Sequence, residues 1–164
     1  MDKKFDIFSQ QIIKLVKSIH KELGPGFREN VYQGALSIEL RKLDISYQKE
    51  LSFEIFYKKQ FAGVGELDFF INDQKLPNVI IETKSVDKIN DSHRSQLVSY
   101  LKSAKQNYDK DLRNTNYGIL INWPGAILDE NNNFVFKNKN PEIELFQLDK
   151  NNVKRVTSWK VFIY

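Results

Sequence analysis

The segment Asn78-Val79-Ile80-Ile81-Glu82-Thr83-Lys84 decides how this chain is interpreted. It is typical of a short apolar strand that ends in a carboxylate and an ammonium with one residue between them. Because side chains alternate between the two faces of a strand, Ile80, Glu82 and Lys84 are predicted to share one face. The opposite face is then predicted to carry Val79, Ile81 and Thr83.

The segment Gly65-Glu66-Leu67-Asp68-Phe69-Phe70-Ile71, whose Asp68 lies fourteen positions before Glu82, also has the pattern of a strand. Asp68 is predicted on one face, and the other face is predicted to carry Leu67, Phe69 and Ile71. If the two strands are neighbours, Asp68, Glu82 and Lys84 meet in one patch. Paired carboxylates can bind a divalent metal, and an adjacent lysine can position a water. Charged residues at strand ends are also common in soluble proteins, so this spacing alone does not establish a site.

The composition bounds the chemistry of any such site. The 164 residues predict one domain with a substantial core, and the net charge of +4 permits contact with a polyanion without requiring it. The chain has no cysteine and two histidines, so a metal would be held mainly by oxygen, which favours Mg²⁺ or Mn²⁺. The sequence shows neither an apolar run of membrane-spanning length nor a secretory signal, so we expect no membrane contact and an intracellular protein, cytoplasmic or nuclear.

The order of predicted elements indicates a mixed α/β domain. They are a helix over 6–23, a helix over 27–43, strands over 50–57, about 61–71 and 78–84, a helix over 90–106, a strand over 117–123, and short C-terminal strands joined by turns at 131–133 and 150–152. The second helix is predicted to bury Val31, Ala35, Ile38 and Leu40. The third is predicted to bury Leu97, Leu101 and Ala104.

Two helices carry further polar candidates. Glu29 and Tyr32 lie three residues apart and share a helix face, although a glutamate in the first helical turn is also a routine partner of the helix dipole. Gln96 and Tyr100 lie four apart on the third helix, with His93 three residues before Gln96. A solvated polar face explains that second set equally well. Glu66 lies on the same strand face as Asp68 and is either a spare metal ligand or a solvent-facing acid. The remaining candidates are cations near the second and third helices: Arg28, Lys88, Arg94, Lys102 and Lys105.

In combination these segments resemble the GxxExxY proteins, a branch of the PD-(D/E)xK nuclease superfamily. The naming motif is present as Gly26, Glu29 and Tyr32, and the superfamily signature as Asp68 with Glu82-Thr83-Lys84. A further Gln-x3-Tyr motif, typical of the branch that resembles the RecB nuclease domain and Cas4, is present as Gln96 and Tyr100. The resemblance covers about 8–123 and leaves 124–164 as a strand extension of a single domain, 1–164.

The resemblance implies a restriction-endonuclease-like core (helix, three strands, helix, strand) with a mixed central sheet and extra C-terminal strands. It also implies a metal-dependent nuclease. Asp68 and Glu82 would bind Mg²⁺ or Mn²⁺, helped by the carbonyl of Thr83 and by Glu29, and Lys84 would orient the attacking water or stabilise charge on the phosphate. Gln96 and Tyr100 would hold the substrate backbone or the lysine. The implied substrate contacts are Arg28, Tyr32, His93 and Arg94.

Several alternatives stay open at this point. Lys84 could itself neutralise the two acids in place of a metal, which would leave a catalytically silent module that binds nucleic acid or a protein partner. The Gln-x3-Tyr resemblance favours DNA as the substrate. The C-terminal strands could cap the sheet or pair across a homodimer.

Overall fold

The computed structural model describes residues 2–137, 139–150 and 152–160. Its helices are α1 (Lys3–Leu23), α2 (Glu29–Lys42), α3 (Asp91–Ala104) and the single turn α4 (Lys110–Arg113). Its strands are β1 (Tyr47–Tyr57), β2 (Gln60–Ile71), β3 (Val79–Val86), β4 (Tyr117–Pro124), β5 (Ile127–Leu128), β6 (Phe134–Val135), β7 (Glu142–Asp149) and β8 (Asn152–Lys160). Every predicted element is present, and α4 was not predicted.

Six strands form one sheet in the order β1-β2-β3-β4-β7-β8. Strands β3 and β4 are parallel, from Val79 opposite Tyr117 to Val86 opposite Pro124, and every other neighbouring pair is antiparallel. A parallel pair needs a long crossover, and here the segment containing α3 supplies it. The predicted α/β fold with a mixed central sheet is therefore confirmed.

Helices cover both faces of this sheet. The first core packs α1 and α2 against one face, with Ile12, Tyr32 and Leu36 buried beside Ile81 of β3. The second core packs α3 against the opposite face, and it contains the predicted residues Leu97, Leu101 and Ala104. Ile80 belongs to the second core, which confirms the alternation predicted for β3.

The buried face of α2 differs from the prediction. Val31 and Ile38 are 39% and 47% exposed, whereas Ala35 packs at the edge of the core and Leu40 is buried as expected. The residues that face inward are Tyr32, Gln33, Leu36, Ser37 and Leu40. Two of these are polar, so the inner stripe is less hydrophobic in sequence than its neighbour, and the prediction was wrong for Val31 and Ile38.

The predicted alternation of β2 also fails at one position. Leu67 packs in the second core, whereas Phe69 and Ile71 pack in the first. The pairing of β1 with β2 skips Glu50, which has a φ of 53° and lies between the paired positions of Phe69 and Leu67. Leu67 therefore faces the same side of the sheet as Phe70 instead of the side of Phe69.

The C-terminal strands extend the central sheet. β7 pairs with β4 from Tyr117 opposite Gln147 to Asn122 opposite Glu142, and β8 pairs with β7. The predicted turn at 131–133 joins the small β5–β6 hairpin, while Asn151 of the other predicted turn lies outside the described residues. Among the helices that the structure describes, none is both long enough and apolar enough to cross a membrane.

Candidate active site

The candidate site begins where β2 and β3 separate. Their pairing ends at Phe69 opposite Ile81. Beyond that point the backbone N–H of Asp68 donates to Oε1 of Glu82 at 3.4 Å, and the N–H of Thr83 donates to Oδ2 of Asp68 at 2.7 Å. Each carboxylate therefore accepts a hydrogen bond from the backbone of the other strand. This exchange brings both acids together at the end of the ladder.

A buried hydrogen-bond chain connects these strands to α2. Nε2 of Gln33 donates to Oγ1 of Thr83 at 2.9 Å, and that hydroxyl donates to Oδ2 of Asp68 at 2.9 Å. The same Gln33 amide lies 3.4 Å from Oε1 of Glu29. The chain therefore fixes Asp68 relative to the helix that carries Glu29. Gln33 was missed by the sequence analysis, although its position four residues after Glu29 places both on one helix face.

Glu82 is the most deeply buried of the acids, with 1% of its surface exposed. Its pKa is raised to about 8, mainly by burial and then by the negative charge of Asp68, while the ammonium of Lys84 acts in the opposite direction. Its Oε2 has no hydrogen-bond partner among the described residues and lies 3.8 Å from Nζ of Lys84. A carboxylate in these surroundings gains from a closer cation.

Glu29, the first residue of α2, lies within electrostatic range of the same group. Burial is the main reason that its pKa is raised, and Asp68 adds to the effect while the ammonium of Lys84 opposes it. Three carboxylates and one ammonium therefore influence one another at this edge of the sheet. When carboxylates lie this close together and are shielded from water, either one of them is protonated or a cation binds between them.

Lys84 and His93 lie on the side of the site formed by α3. The side chain of Lys84 is 17% exposed. The pKa of His93 is lowered, first by burial and then by the positive charges of Lys84 and Arg94. His93 also closes the start of α3, because its Nδ1 accepts from the N–H of Asn90 at 3.3 Å and its own N–H donates to Oδ1 of Asn90 at 3.1 Å.

Comparison with known proteins identifies the family. A sequence model of the PD-(D/E)XK nuclease superfamily matches residues 6–133. The chain belongs to the PD-(D/E)XK nuclease superfamily. No curated protein and no solved structure matches it. Membership indicates a nuclease, and the match spans every acid of the site described above together with Lys84 and α3.

PD-(D/E)XK nucleases generally use divalent metals, and the donor atoms of this chain fit such an ion. Across residues 2–137, 139–150 and 152–160, no cluster of three or more acidic, histidine or cysteine side chains is arranged to hold a metal. Magnesium, however, is commonly bound through one or two carboxylates with several waters completing its shell. Asp68 and Glu82 supply two carboxylates, and the unpartnered Oε2 of Glu82 is an oxygen available to a cation.

Arg94, predicted to contact substrate, is held by protein carboxylates in this PD-(D/E)XK domain. Its Nε and Nη2 donate to Glu144 of β7 at 2.8 and 2.9 Å, and its Nη1 donates to Asp91 at 2.9 Å. Arg155 of β8 adds a contact of 3.1 Å to the same glutamate. The structure therefore gives Arg94 a role in joining α3 to the C-terminal strands, and the sequence analysis did not foresee Glu144.

Gln96 and Tyr100 lie one turn apart on α3, as their spacing in the sequence predicts. Nε2 of Gln96 donates to the hydroxyl of Tyr100 at 3.2 Å, and the Tyr100 ring packs edge-on against Phe53 with centroids 5.4 Å apart. Among the described contacts, Gln96 bonds to Tyr100 rather than to Lys84. Both side chains are partly exposed and form one polar unit beside the second core.

Tyr32 has a structural position that corrects the prediction of a substrate contact. It is fully buried, its ring stacks on Trp123 at 4.6 Å, and its hydroxyl donates to the carbonyl of Gly24 at 2.8 Å. The hydroxyl also accepts from the N–H of Phe27 at 3.3 Å. With no exposed surface, Tyr32 shapes the turn that leads into Glu29 instead of touching a ligand. Arg28, immediately before α2, is exposed.

Gly26 of the same turn is required by its surroundings. Its φ is +99°, a conformation that favours glycine, and a Cβ there would lie 2.8 Å from the Phe136 ring. Its N–H donates to the carbonyl of Pro124 at 3.2 Å. In the GxxExxY pattern, the glycine and the tyrosine thus hold the turn, and the glutamate faces the site.

Proposed function

We propose that this chain is a Mg²⁺- or Mn²⁺-dependent nuclease that hydrolyses phosphodiester bonds in DNA. The observation that supports this most strongly is the exchange of backbone hydrogen bonds between Asp68 and Glu82. It leaves Oε2 of Glu82 without a hydrogen-bond partner among the described residues and 3.8 Å from Nζ of Lys84. Membership of the PD-(D/E)XK superfamily supports the reaction class. The choice of DNA depends on the resemblance of Gln96 and Tyr100 to the Gln-x3-Tyr branch.

In this proposal Asp68 and Glu82 hold the metal, with Glu29 and the carbonyl of Thr83 as further oxygen ligands. A bound divalent ion polarises a phosphate and lowers the pKa of a coordinated water. Lys84 donates hydrogen bonds to the attacking water or to a phosphate oxygen as negative charge develops there. Gln33 and Thr83 keep the Asp68 carboxylate oriented through their hydrogen-bond chain.

The residues on α3 and before α2 are proposed to hold the substrate backbone. Gln96 and Tyr100 present a polar surface on α3, and His93 lies near Lys84. Arg28 is exposed at the start of α2 and can reach a phosphate without competition from a described ion pair. Contacts of this kind position a nucleic acid without reading its sequence.

The test is cleavage by purified protein of circular and linear DNA, single- and double-stranded, with Mg²⁺, Mn²⁺ or a chelator. We expect metal-dependent cleavage that falls at least about 100-fold in Asp68→Ala, Glu82→Ala and Lys84→Ala, because each removes charge that acts in the transition state. Glu66→Ala is the matched control, since Glu66 is an exposed acid of the same strand. Unchanged cleavage in all three site variants would remove these residues from the mechanism.

A second candidate function is a nuclease-fold module without catalysis. The ion pair of 3.8 Å between Lys84 and Glu82 supports it, because Lys84 itself supplies a cation to the buried acid. Calorimetric titration with Mn²⁺ separates the two candidates. Binding that is lost in Asp68→Ala supports the enzyme, and no binding at millimolar metal supports the silent module.

A further inference from the structure

Two adjoining clefts at the C-terminal end of α3 carry a concentration of positive charge. One, of about 500 Å³, is lined by residues that include Lys59, Lys105, Tyr108 and Arg113. The other, of about 370 Å³, is lined by Lys102, Lys105, Gln106, Leu148 and Lys150. The clefts share Lys105 and Gln106, so they form one continuous surface from the β1–β2 turn to the end of β7. We call this surface the cationic track.

The charge of the cationic track is of one sign. Five of its lining residues are cations, and among the described residues no carboxylate side chain lines either cleft. Acidic side chains begin beyond Asn107, where Asp109 and Asp111 line a separate cleft. A surface of this kind attracts a polyanion.

An exposed aromatic ring lies within the cationic track. Tyr108 is 67% exposed, and its ring is supported edge-on by Phe56, with centroids 4.8 Å apart at an angle of 80°. Nζ of Lys105 donates to the carbonyl of Arg113 at 2.9 Å, which ties together the two ends of the loop that carries Tyr108. The ring is therefore held in place while most of its surface is open to solvent.

The cationic track is separate from the candidate active site. His93, which lies close enough to Lys84 for that charge to lower its pKa, is in the first turn of α3, whereas Lys105 follows the last turn at the other end of the helix. The 14 residues of α3 span roughly 20 Å at about 1.5 Å per residue. A nucleic acid lying on the cationic track is thus bound by residues other than those that would hold the scissile phosphate.

We propose that the cationic track binds a single-stranded segment of nucleic acid. Lysine and arginine side chains neutralise its phosphates, and Tyr108 stacks against an unpaired base. A duplex keeps its bases stacked inside, so it can use the cations but not the ring. Binding is independent of catalysis; the further step, that the track guides a strand toward Asp68 and Glu82, depends on the proposed nuclease function.

The test is fluorescence anisotropy with labelled oligo-dT of about 15 nucleotides and with a duplex of equal length, in a chelator so that nothing is cleaved. We expect tighter binding of the single strand. Tyr108→Ala should weaken it by about 5- to 100-fold, the usual effect of losing one stacked base. Lys59→Ala with Lys150→Ala should weaken binding and reduce the salt slope by about 1.4, at about 0.7 per phosphate contact.

The matched control is Lys14→Ala with Lys17→Ala. Both lysines are exposed on α1, which packs on the opposite face of the sheet, and the change in net charge is the same. Equal loss in this control, unchanged binding in the Tyr108 and lysine variants, or tighter binding of the duplex would overturn the proposal. Thermal unfolding of each variant checks that the fold is intact.

Cleavage assays keep this inference separate from the proposed function. Loss of cleavage in Asp68→Ala with binding of oligo-dT retained supports both. If the unaltered protein shows no metal-dependent cleavage but binds oligo-dT in a Tyr108-dependent way, the proposed nuclease function is contradicted and the proposed binding surface is supported. Cleavage without any binding of oligo-dT in the chelator overturns the inference alone.

Discussion

At the scale of single residues, the polar side chains of the site form hydrogen bonds with residues on other strands and helices. Oδ2 of Asp68 accepts both the N–H and the hydroxyl of Thr83, and the hydroxyl in turn accepts from Gln33. The threonine between the two charged residues of the signature is therefore a connector. Its side chain links α2 to β2 through β3.

Thr83→Val is expected to destabilise the protein by about 1 to 3 kcal/mol, because at nearly unchanged volume it removes the shorter hydrogen bond of the buried Gln33 amide and one hydrogen bond to Asp68. Urea unfolding monitored by circular dichroism measures this. Thr83→Ser, which keeps the hydroxyl, is the control and should recover most of the stability. A valine variant as stable as the serine variant would show that the chain of hydrogen bonds contributes nothing.

The buried Glu82 predicts a pH dependence in the absence of metal. Because its folded pKa of about 8 lies above the unfolded value of 4.5, the folded state holds the extra proton between these limits. The contribution of this group is therefore fully present below about pH 4.5 and is lost as pH rises toward about 8. A tenfold difference in proton affinity corresponds to about 1.4 kcal/mol, so the loss amounts to a few kcal/mol at most.

The variant Glu82→Gln should remove this slope and stabilise the metal-free protein at pH 8, since the neutral amide can still accept from the N–H of Asp68. Thermal unfolding in chelator from pH 5 to pH 8 measures it, with the exposed Glu66→Gln as control. A slope that persists in Glu82→Gln would assign the titration to another group. Added Mn²⁺ should stabilise the unaltered protein more at pH 8 than at pH 6.

At the scale of elements, α3 is fixed at one end by capping and at its side by an ion pair. Asn90 and His93 close its first turn, and Arg94 joins it to Glu144 of β7. Glu144 is 5% exposed and also binds Arg155. The helix that carries Gln96 and Tyr100 is therefore oriented by a strand far along the chain.

Glu144→Ala is expected to cost about 1 to 3 kcal/mol, because it leaves the partly buried Arg94 without its main partner. Asp91→Ala is the matched control: its side chain is 98% exposed, and a surface ion pair contributes at most about 1 kcal/mol. Denaturant unfolding of both variants tests this. Equal effects of the two substitutions would contradict a special role for Glu144.

β3 and α2 differ in how well the sequence predicts which of their side chains are buried. The period-2 pattern of β3 fixed its two faces, and hence the direction of Glu82, without reference to other elements. For α2, two stripes competed, and the one with Gln33 and Ser37 is buried because these side chains find partners or packing only in the folded protein. Gln33, which bonds to Thr83, and Glu144, which bonds to Arg94, each lie 50 residues from their partner. Local sequence patterns do not predict contacts over such a separation.

At the scale of the whole molecule, the sheet joins the segment matched by the superfamily with residues beyond it. The match ends at 133, yet β7 pairs with β4 along Tyr117 to Asn122. Ile143 and Leu145 of β7 belong to the first core and Phe146 to the second. The C-terminal strands thus help to build both cores.

A chain that stops at residue 137 should fail to fold, because it leaves one edge of the parallel pair open and both cores incomplete. Circular dichroism and the cooperativity of urea unfolding measure this. Leu145→Ala in the full chain is the milder companion, with an expected cost of about 2 to 5 kcal/mol. Cooperative unfolding of the shortened chain would show that residues 6–133 suffice as a folding unit.

The exchange of amide hydrogen bonds between Asp68 and Glu82 also bears on biosynthesis. Neither acid is oriented by its own strand, so a polypeptide still emerging from the ribosome cannot display the pair until β2 and β3 have met. The centre is therefore complete only once these two strands lie side by side. A fragment that ends before β3 therefore lacks the paired carboxylates altogether.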